Sequence, residues 1–422
     1  MLQHIYKNSE PTVKGQETST LEQERIDRFC LLLHIETHHL TLSIIIVNYN
    51  VCAFVEQCLH TVLAASHSID NEIIVVDNGS TDNCIPILQP LFPNVQFIRS
   101  ETNLGFAKAN NLGLQKASGT YILFLNPDTL IPADTLSICL DHFYTHERTG
   151  ALGIRMINGW GEFLPESKRA LPSLQTAFFK LSGLARMFPS SGLFNRYALG
   201  HLSPLENHQV EVLAGAFMMV RKSIIDALGG FDTDYFMYGE DIDLSLRIAE
   251  SGYTLQYLGH PAIVHYKGQS SKHKSVFHTA IFFEAMKIFV QKHYRLSWML
   301  TPLIQFFSWM TQLKKKIARS GATEALLQRH QNLLVICKEE NHSHLLSALA
   351  QHGITDSYLS SIYLHQQSIK SIQDEISNYA AEQILIRIPD MRMSDAIALM
   401  EKNQGMFFRF IFAGSATISF NN

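Results

Sequence analysis

Apolar residues concentrate in short runs separated by stretches of helical period. Leu42–Val47 is a nearly continuous apolar run, and further strands are expected at 72–77, 95–99 and 121–125. Such runs suit strands buried on both faces, as in a parallel sheet. Helices are expected between them at about 52–65, after Asn78-Gly79-Ser80-Thr81-Asp82, and at 105–117. Strand and helix alternating at this length predict βαβ units and a doubly wound α/β sheet. Sheets of this kind bind ligands beyond the carboxyl ends of their strands, so the informative residues should lie just after each strand. The pattern breaks down over 155–210, read as an insert of loops and short helices. It resumes at Val210–Arg221 and continues to His265, and a helical region follows at about 275–318. Beyond 330 a second α/β pattern begins, with strands at 333–337, 383–388 and 407–412 and helices at about 340–352, 368–380 and 393–401. The organisation expected is a polar extension over 1–40, a main α/β domain over 41–275, a helical segment over 276–320 and a small α/β domain over 330–422.

Composition narrows the function. Hydrophobic residues make up 46% of the 422 and charged residues 17%, enough apolar material for a large core. The net charge of -4 leaves no basic excess to hold nucleic acid phosphates. The 6 Cys include no Cys-x-x-Cys pair, and the 20 His are scattered and form no His-x-x-His metal pattern. Reduced cytosolic thiols are the simple reading. No secretion signal is evident at the start. The stretch Leu296–Leu313 carries two Trp, two Phe and no charge, and is followed by Lys314, Lys315, Lys316 and Arg319. It suits a helix lying in a membrane interface on the cytoplasmic side, with a buried packing helix as the other main reading and a true span the least favoured.

Three acidic clusters follow expected strands. Asp77-Asn78-Gly79-Ser80-Thr81-Asp82 can hold a base or ribose, or can be an ordinary turn with Asp82 capping a helix. Asn126-Pro127-Asp128 ends an apolar strand, where a carboxylate can anchor a hard divalent cation completed by phosphate and water, or can cap a turn. Gly239-Glu240-Asp241-Ile242-Asp243 opens a helix. Acids there are favoured by the helix dipole, and Asp243 is expected to pair with Arg247 at i,i+4. His265 ends an apolar run, where a metal role competes with a plain core position.

Together these motifs form a recognisable series: SIIIVNYN, EIIVVDNGSTD, ETNLGFAKANNLGL, GTYILFLNPDT, LAGAFMMVRKSIIDALGGFDTDYFMYGEDIDLSLRIAESGY and IVHYKGQSS. Over roughly 41–275 the chain resembles glycosyltransferase family 2, and within it a rhamnosyltransferase-like bacterial branch. The resemblance implies a GT-A fold, a nucleotide-diphosphate sugar donor and inversion at the anomeric carbon. It implies that Asp77 contacts the base beside Val47 and Asn48, and that Asn103, Lys108 and Asn111 line the nucleotide side. Asp128 matches the last acid of the family's DxD metal motif, with Asn126 in place of its first acid, and His265 matches a late His that completes the shell of Mg²⁺ or Mn²⁺. Asp241 matches the catalytic base, with Glu240 as the alternate. The tail resembles a Rossmann-like module appended to some bacterial members, but its phosphate-loop position reads Cys337-Lys338-Glu339-Glu340, without glycine. A docking or structural role is therefore expected for it.

The implied activity is transfer of a sugar, with dTDP-rhamnose as the leading donor, to a glycan or polyprenyl-linked acceptor in cell-surface polysaccharide synthesis. The enzyme would be cytoplasmic and peripheral on the inner face of the membrane. A nucleotidyltransferase would need a Gly-rich basic loop where Asn48-Tyr49-Asn50-Val51 stands. A non-catalytic sugar-nucleotide-binding scaffold is the remaining alternative, and the Glu240-Asp241 pair weighs against it.

Overall fold

The computed structural model describes residues 40–173, 175, 176, 179, 183–267, 276–294, 332–351, 359–364, 368–379, 381–413 and 415, with scattered positions between 297 and 309. The expected N-terminal extension and most of Leu296–Leu313 fall outside these residues. Among the described residues no helix is long and apolar enough to cross a membrane.

The first half winds as the pattern predicts. Strand β1 (Leu42–Asn48) is followed by helix α1 (Cys52–Ser66), β2 (Asn71–Asn78), the short α2 (Cys84–Leu88), β3 (Gln96–Ser100), α3 (Phe106–Leu114) and β4 (Tyr121–Leu125). These four strands pair in parallel in the order β3-β2-β1-β4. Side chains of β1 alternate between two cores. Ile44 and Ile46 pack on the face shared with α1, and Ile45 packs on the face shared with Ala107 and Ala109 of α3. With both faces covered the strand is almost wholly apolar, and its one polar residue inside the run, Ser43, is buried with its hydroxyl bonded to Glu72 and the Gly119 amide.

The second half is mixed. It comprises β5 (Thr129–Leu130), α4 (Thr135–Thr145), β6 (Thr149–Ile157), β7 (His208–Val210), β8 (Phe217–Arg221), α5 (Lys222–Ala227), α6 (Glu240–Glu250) and β9 (Thr254–His265). The sheet continues β4-β8-β6-β9-β5, with β8 antiparallel to β4 and β6, and β9 parallel to β6. The irregular insert starts later than expected, because β6 runs on to Ile157. Arg155 did not read as a strand residue, yet it is buried in β6 at a register shift, where its Nε donates to the Gly259 carbonyl at 2.8 Å.

After α7 (Val276–His293) comes a second sheet with α/β connections: β10 (Leu333–Cys337), α8 (Glu339–Gln351), β11 (Leu359–Tyr363), α9 (Ile369–Ile376), β12 (Gln383–Ile388), α10 (Met393–Lys402) and β13 (Phe407–Phe412). Its strands are all parallel, in the order β11-β10-β12-β13. The residues from Thr41 onward form one compact unit. One apolar cluster joins the sheets directly, with Leu130, Ile157, Ala262 and Val264 of the first packing among Ile336, Ile386, Met400, Phe408 and their neighbours in the second.

Candidate active site

The carboxyl ends of β1 and β2 meet in register, Asn48 opposite Asp77. Both side chains are buried. The Asn48 amide nitrogen donates to Asp77 Oδ1 at 3.1 Å and to Ser80 Oγ at 3.0 Å. Ser80 also accepts the Asn50 amide, and Asp82 accepts the Cys52 amide at 2.8 Å, at the first residue of α1. Asp82 thus steadies the start of α1, while Asp77 stays in the polar strand-end set. Gly79 is obligatory in this turn. Its φ is +74°, and a Cβ there would stand 2.6 Å from the Thr102 backbone. Asn78 grips the next loop, donating to Asn103 Oδ1 and accepting the Leu104 amide.

Beyond β4, Asn126-Pro127-Asp128 is folded back by the two-residue strand β5, whose Thr129 pairs with His265. This pairing brings Asp128 Oδ1 to 3.3 Å from His265 Nε2, with both side chains nearly buried. The Asn126 amide nitrogen lies 3.5 Å from the same imidazole nitrogen. His265 Nδ1 is buried with no hydrogen-bond partner. Beneath the loop, burial pushes the Cys58 thiol up to about 12, so it is a packing group and no nucleophile. Among the described residues, no three His, Cys, Asp or Glu side chains gather into a metal cage. A carboxylate oxygen and an imidazole side by side offer two ligands of the kind a divalent ion takes, and any further ligands would come from outside this pair.

Helix α6 opens on Glu240-Asp241, and the two acids differ sharply. Asp241 Oδ2 accepts Arg169 Nη2 at 2.5 Å and the Gly215 amide at 3.3 Å, while Oδ1 accepts the Ile242 amide at 2.9 Å. Glu240 is 7% exposed, and its Oε2 has no hydrogen-bond partner. Burial, and then the charge of Asp241, push the Glu240 carboxyl up to about 8. Asp243 pairs with Arg247 at 2.7 Å, as the spacing predicts, and also meets His293 at 2.7 Å.

These groups are linked through one dipeptide. The Gly215 amide is bonded to Asp241, and the Ala216 carbonyl accepts the Asn126 amide at 2.9 Å. Phe106, opening α3, donates its amide to the Phe236 carbonyl and lies against Gly215. Lys108 is exposed on α3, and Val47 lies one position before Asn48. Asn111 is employed otherwise than expected. Its amide donates to the Phe231 carbonyl at 2.7 Å and its oxygen accepts the Phe231 amide at 2.9 Å, pinning the turn before the aromatic approach.

Two residues with no motif join the site. Arg169 lies in the irregular insert, held to Val212 by two backbone hydrogen bonds. Burial opposes its charge, but Asp241 and Tyr197 more than offset this and hold the guanidinium above its usual range. Glu166 pairs with Lys267 at 2.6 Å. Burial opposes its charge too, but Lys267 and, more weakly, His265 keep its carboxyl below the usual range. The local trace of either was a short charged cluster, Glu166-Ser167-Lys168-Arg169, inside the irregular insert.

The chain is similar to several known proteins. The model of glycosyl transferase family 2 matches residues 43–229. An N-acetylglucosaminyl-diphospho-decaprenol L-rhamnosyltransferase of Mycobacterium tuberculosis is 27% identical over 274 residues, covering 62% of this chain and 87% of that protein. A poly-beta-1,6-N-acetyl-D-glucosamine synthase of Staphylococcus epidermidis is 26% identical over 236 residues, covering 54% of this chain and 51% of the synthase. Among solved structures, a mannosyltransferase from Pyrobaculum calidifontis in complex with GDP-Man and Mn²⁺ is 16% identical, covering 80% of this chain and 89% of that one, with a TM-score of 0.44.

Proposed function

Given a family 2 glycosyl transferase domain over residues 43–229, we propose that this chain is an inverting, cation-assisted glycosyltransferase. It moves a sugar from a nucleotide diphosphate to a hydroxyl acceptor. Asn48 and Asp77 receive the nucleotide base beside Val47, and Asn103 and Lys108 line the nucleotide side. Asp128 and His265 hold Mg²⁺ or Mn²⁺, with Asn126 alongside. When bound, the cation supplies Lewis-acid neutralisation of the leaving diphosphate. Lys108 adds positive charge on the same side. Asp241 takes the proton of the acceptor hydroxyl as that oxygen attacks the anomeric carbon opposite the departing diphosphate. Its Oδ2 accepts two hydrogen bonds, from Arg169 and Gly215, and its Oδ1 only the Ile242 amide, so Oδ1 keeps the lone pair assigned to that proton. Two adjacent carboxyls in a buried setting do not both ionise readily. Burial and the neighbouring carboxylate hold the Glu240 carboxyl well above its ordinary range, so it keeps its proton at pH 7 and is the less suited of the two acids to act as the base.

The observation that supports the reading most is the link through Gly215-Ala216, which joins the Asp241 carboxylate to the Asn126-Pro127-Asp128 loop. The leading donor is dTDP-rhamnose and the leading acceptor a lipid-linked glycan, supported by the rhamnosyltransferase relative. Peripheral contact with the cytoplasmic membrane face is supported by the exposed Trp298 and Trp309, which precede Lys314-Lys315-Lys316. The test is a panel of nucleotide sugars incubated with the protein, with Mn²⁺ and with EDTA. One donor should bind and release its diphosphate in a metal-dependent manner. If no donor binds at millimolar concentration, the transferase reading gives way to a non-catalytic one.

A further inference from the structure

The second sheet touches the first at the ladder that carries the Asp128-His265 pair. Strand β5 is two residues long and lies at the edge of its sheet. Backbone pairing alone holds so short an edge strand weakly. Its Leu130 is paired with Val264, and both belong to the apolar cluster completed by the second sheet. Take that sheet away and these side chains, with Ile157 and Ala262, face water next to Asp128 and His265.

One residue connects the two ends of this arrangement. Tyr266 follows His265. Its backbone amide donates to the Asp128 carbonyl at 3.0 Å. Its hydroxyl donates to the Phe408 carbonyl of β13 at 3.1 Å, and its ring packs against Phe54 and Phe407. From the other side the Gly159 carbonyl accepts the Phe408 amide at 2.8 Å, in a gap with no room for a side chain. A Cβ on Gly159 would stand 2.6 Å from the Phe407 ring and 3.1 Å from the Tyr266 ring. The Arg155–Glu401 ion pair, and Gln57 on the Phe410 carbonyl at 3.2 Å, fasten the rest of the contact.

We propose that the C-terminal sheet is a positioning element for the cation–diphosphate subsite, and that Tyr266 is the positioning residue through which it sets the spacing of Asp128 and His265. This rests on the reading of those two residues as the cation pair. Groups that orient metal ligands from outside the ligand set commonly carry about 10–100-fold of metal affinity, and the Tyr266 hydroxyl acts one hydrogen bond further out. An effect near the lower end, about 10-fold, is therefore expected.

The test uses the full chain and calorimetry with UDP and dTDP, each with Mn²⁺ and with EDTA. The readout is the ratio of the two dissociation constants for whichever diphosphate binds. Tyr266→Phe keeps the ring and removes the hydroxyl. It should cut the Mn²⁺-dependent gain about 10-fold and leave metal-free binding unchanged, an asymmetry that general loosening of the fold would not produce. Gly159→Ala forces Phe407 and Tyr266 apart from the opposite side and should shift the ratio the same way. Asp128→Ala, run in parallel, should abolish the gain. If Asp128→Ala abolishes it while Tyr266→Phe and Gly159→Ala leave it intact, the positioning role is overturned and the cation pair stands. If Asp128→Ala also leaves it intact, both fall.

Discussion

Two helices of this chain open on paired acids just beyond a strand or loop, and the pairs have opposite fates. α6 begins Glu240-Asp241, with Glu240 buried and Asp241 bonded to Arg169 and the Gly215 amide. α8 begins Glu339-Glu340, exposed at the end of β10. The local sequence logic is the same, acids in a first turn where the helix dipole favours them. The surroundings decide the chemistry. Around α6 the chain supplies a buried guanidinium and a backbone amide from distant segments, so one carboxylate is oriented and the other is driven toward neutrality. Around α8 the neighbouring strand end closes on itself. Asp390 accepts the Lys338 amide at 2.9 Å, the Asn341 amide nitrogen and Arg387 at 2.6 Å. What remains outside is an open hollow of about 540 Å³ lined by Lys338, Glu339, Glu340 and Leu364. Two acids at the helix start repel the phosphate that a glycine loop would welcome.

The sharpest way to break this contrast is Asp241→Asn. The loss of a general base should lower kcat by about 10²–10⁴-fold with donor binding nearly unchanged. Arg169→Gln should lower kcat in the same direction by less, because the carboxylate persists without its anchor. A donor-turnover assay against a metal-independent binding measurement separates the two, and full activity in Asp241→Asn would remove α6 from the chemistry. Next in size is Asp77→Ala. Removing one charged acceptor from the strand-end set should weaken nucleotide binding about 10-fold, on the scale of about 1.5–3 kcal/mol for a hydrogen bond to a charged group. Binding unchanged by titration calorimetry would make Asp77 a turn residue.

Glu240 sharpens the comparison through pH. Its folded-state value of about 8 lies above the ordinary 4.5, raised by burial and then by Asp241. Between those values the folded chain keeps a proton that the unfolded chain has released. The contribution is fully present below about pH 4.5 and is lost as pH rises through 8. Glu240→Gln removes that slope. Its melting temperature relative to the native chain should rise steadily from pH 5 to pH 8 and then level off. A difference that stays flat across this window would show that Glu240 is ionised throughout.

How much of this was legible depends on whether the signal was local. The strands β1, β2 and β4 read clearly because burial on both faces leaves continuous apolar runs, while the edge strand β3 (QFIRS) carries a weaker apolar signal. Three strands of the second sheet read for the same reason. The fourth, β11 (LSSIY), did not, because as an edge strand it keeps serines at half-buried positions. Helix α4, lying between two recognisable segments, went unread. Asp77 and Asp128 drew notice because each lies at or just beyond the end of a strand, whereas Glu240 and Asp241, expected after a strand, open a helix that follows the loop after α5. Arg169 was not, since its partner lies 72 positions away. The contact of Asn111 with the Phe231 backbone was not legible because the two lie 120 positions apart.

The smallest effect is expected at α8, and it tests the other side of the contrast. Glu339→Gln with Glu340→Gln removes two acids from an exposed first turn. The loss of favourable dipole contacts there is worth about 0.3–1 kcal/mol each at low ionic strength. Nucleotide binding at the first sheet should stay within about 2-fold, because a 1.4 kcal/mol change is needed for a factor of ten and nothing links α8 to Asp77. A second, weaker nucleotide-binding event in the double variant would overturn the view of this end as closed. It would mean that the two acids alone had been keeping phosphate out, and that Asp390 with its three partners leaves enough backbone amide exposed to hold one. A single binding event with unaltered affinity would mean that the strand end itself is shut. The second sheet would then act on the reaction through its packing against β5 and β9 and not through a ligand of its own.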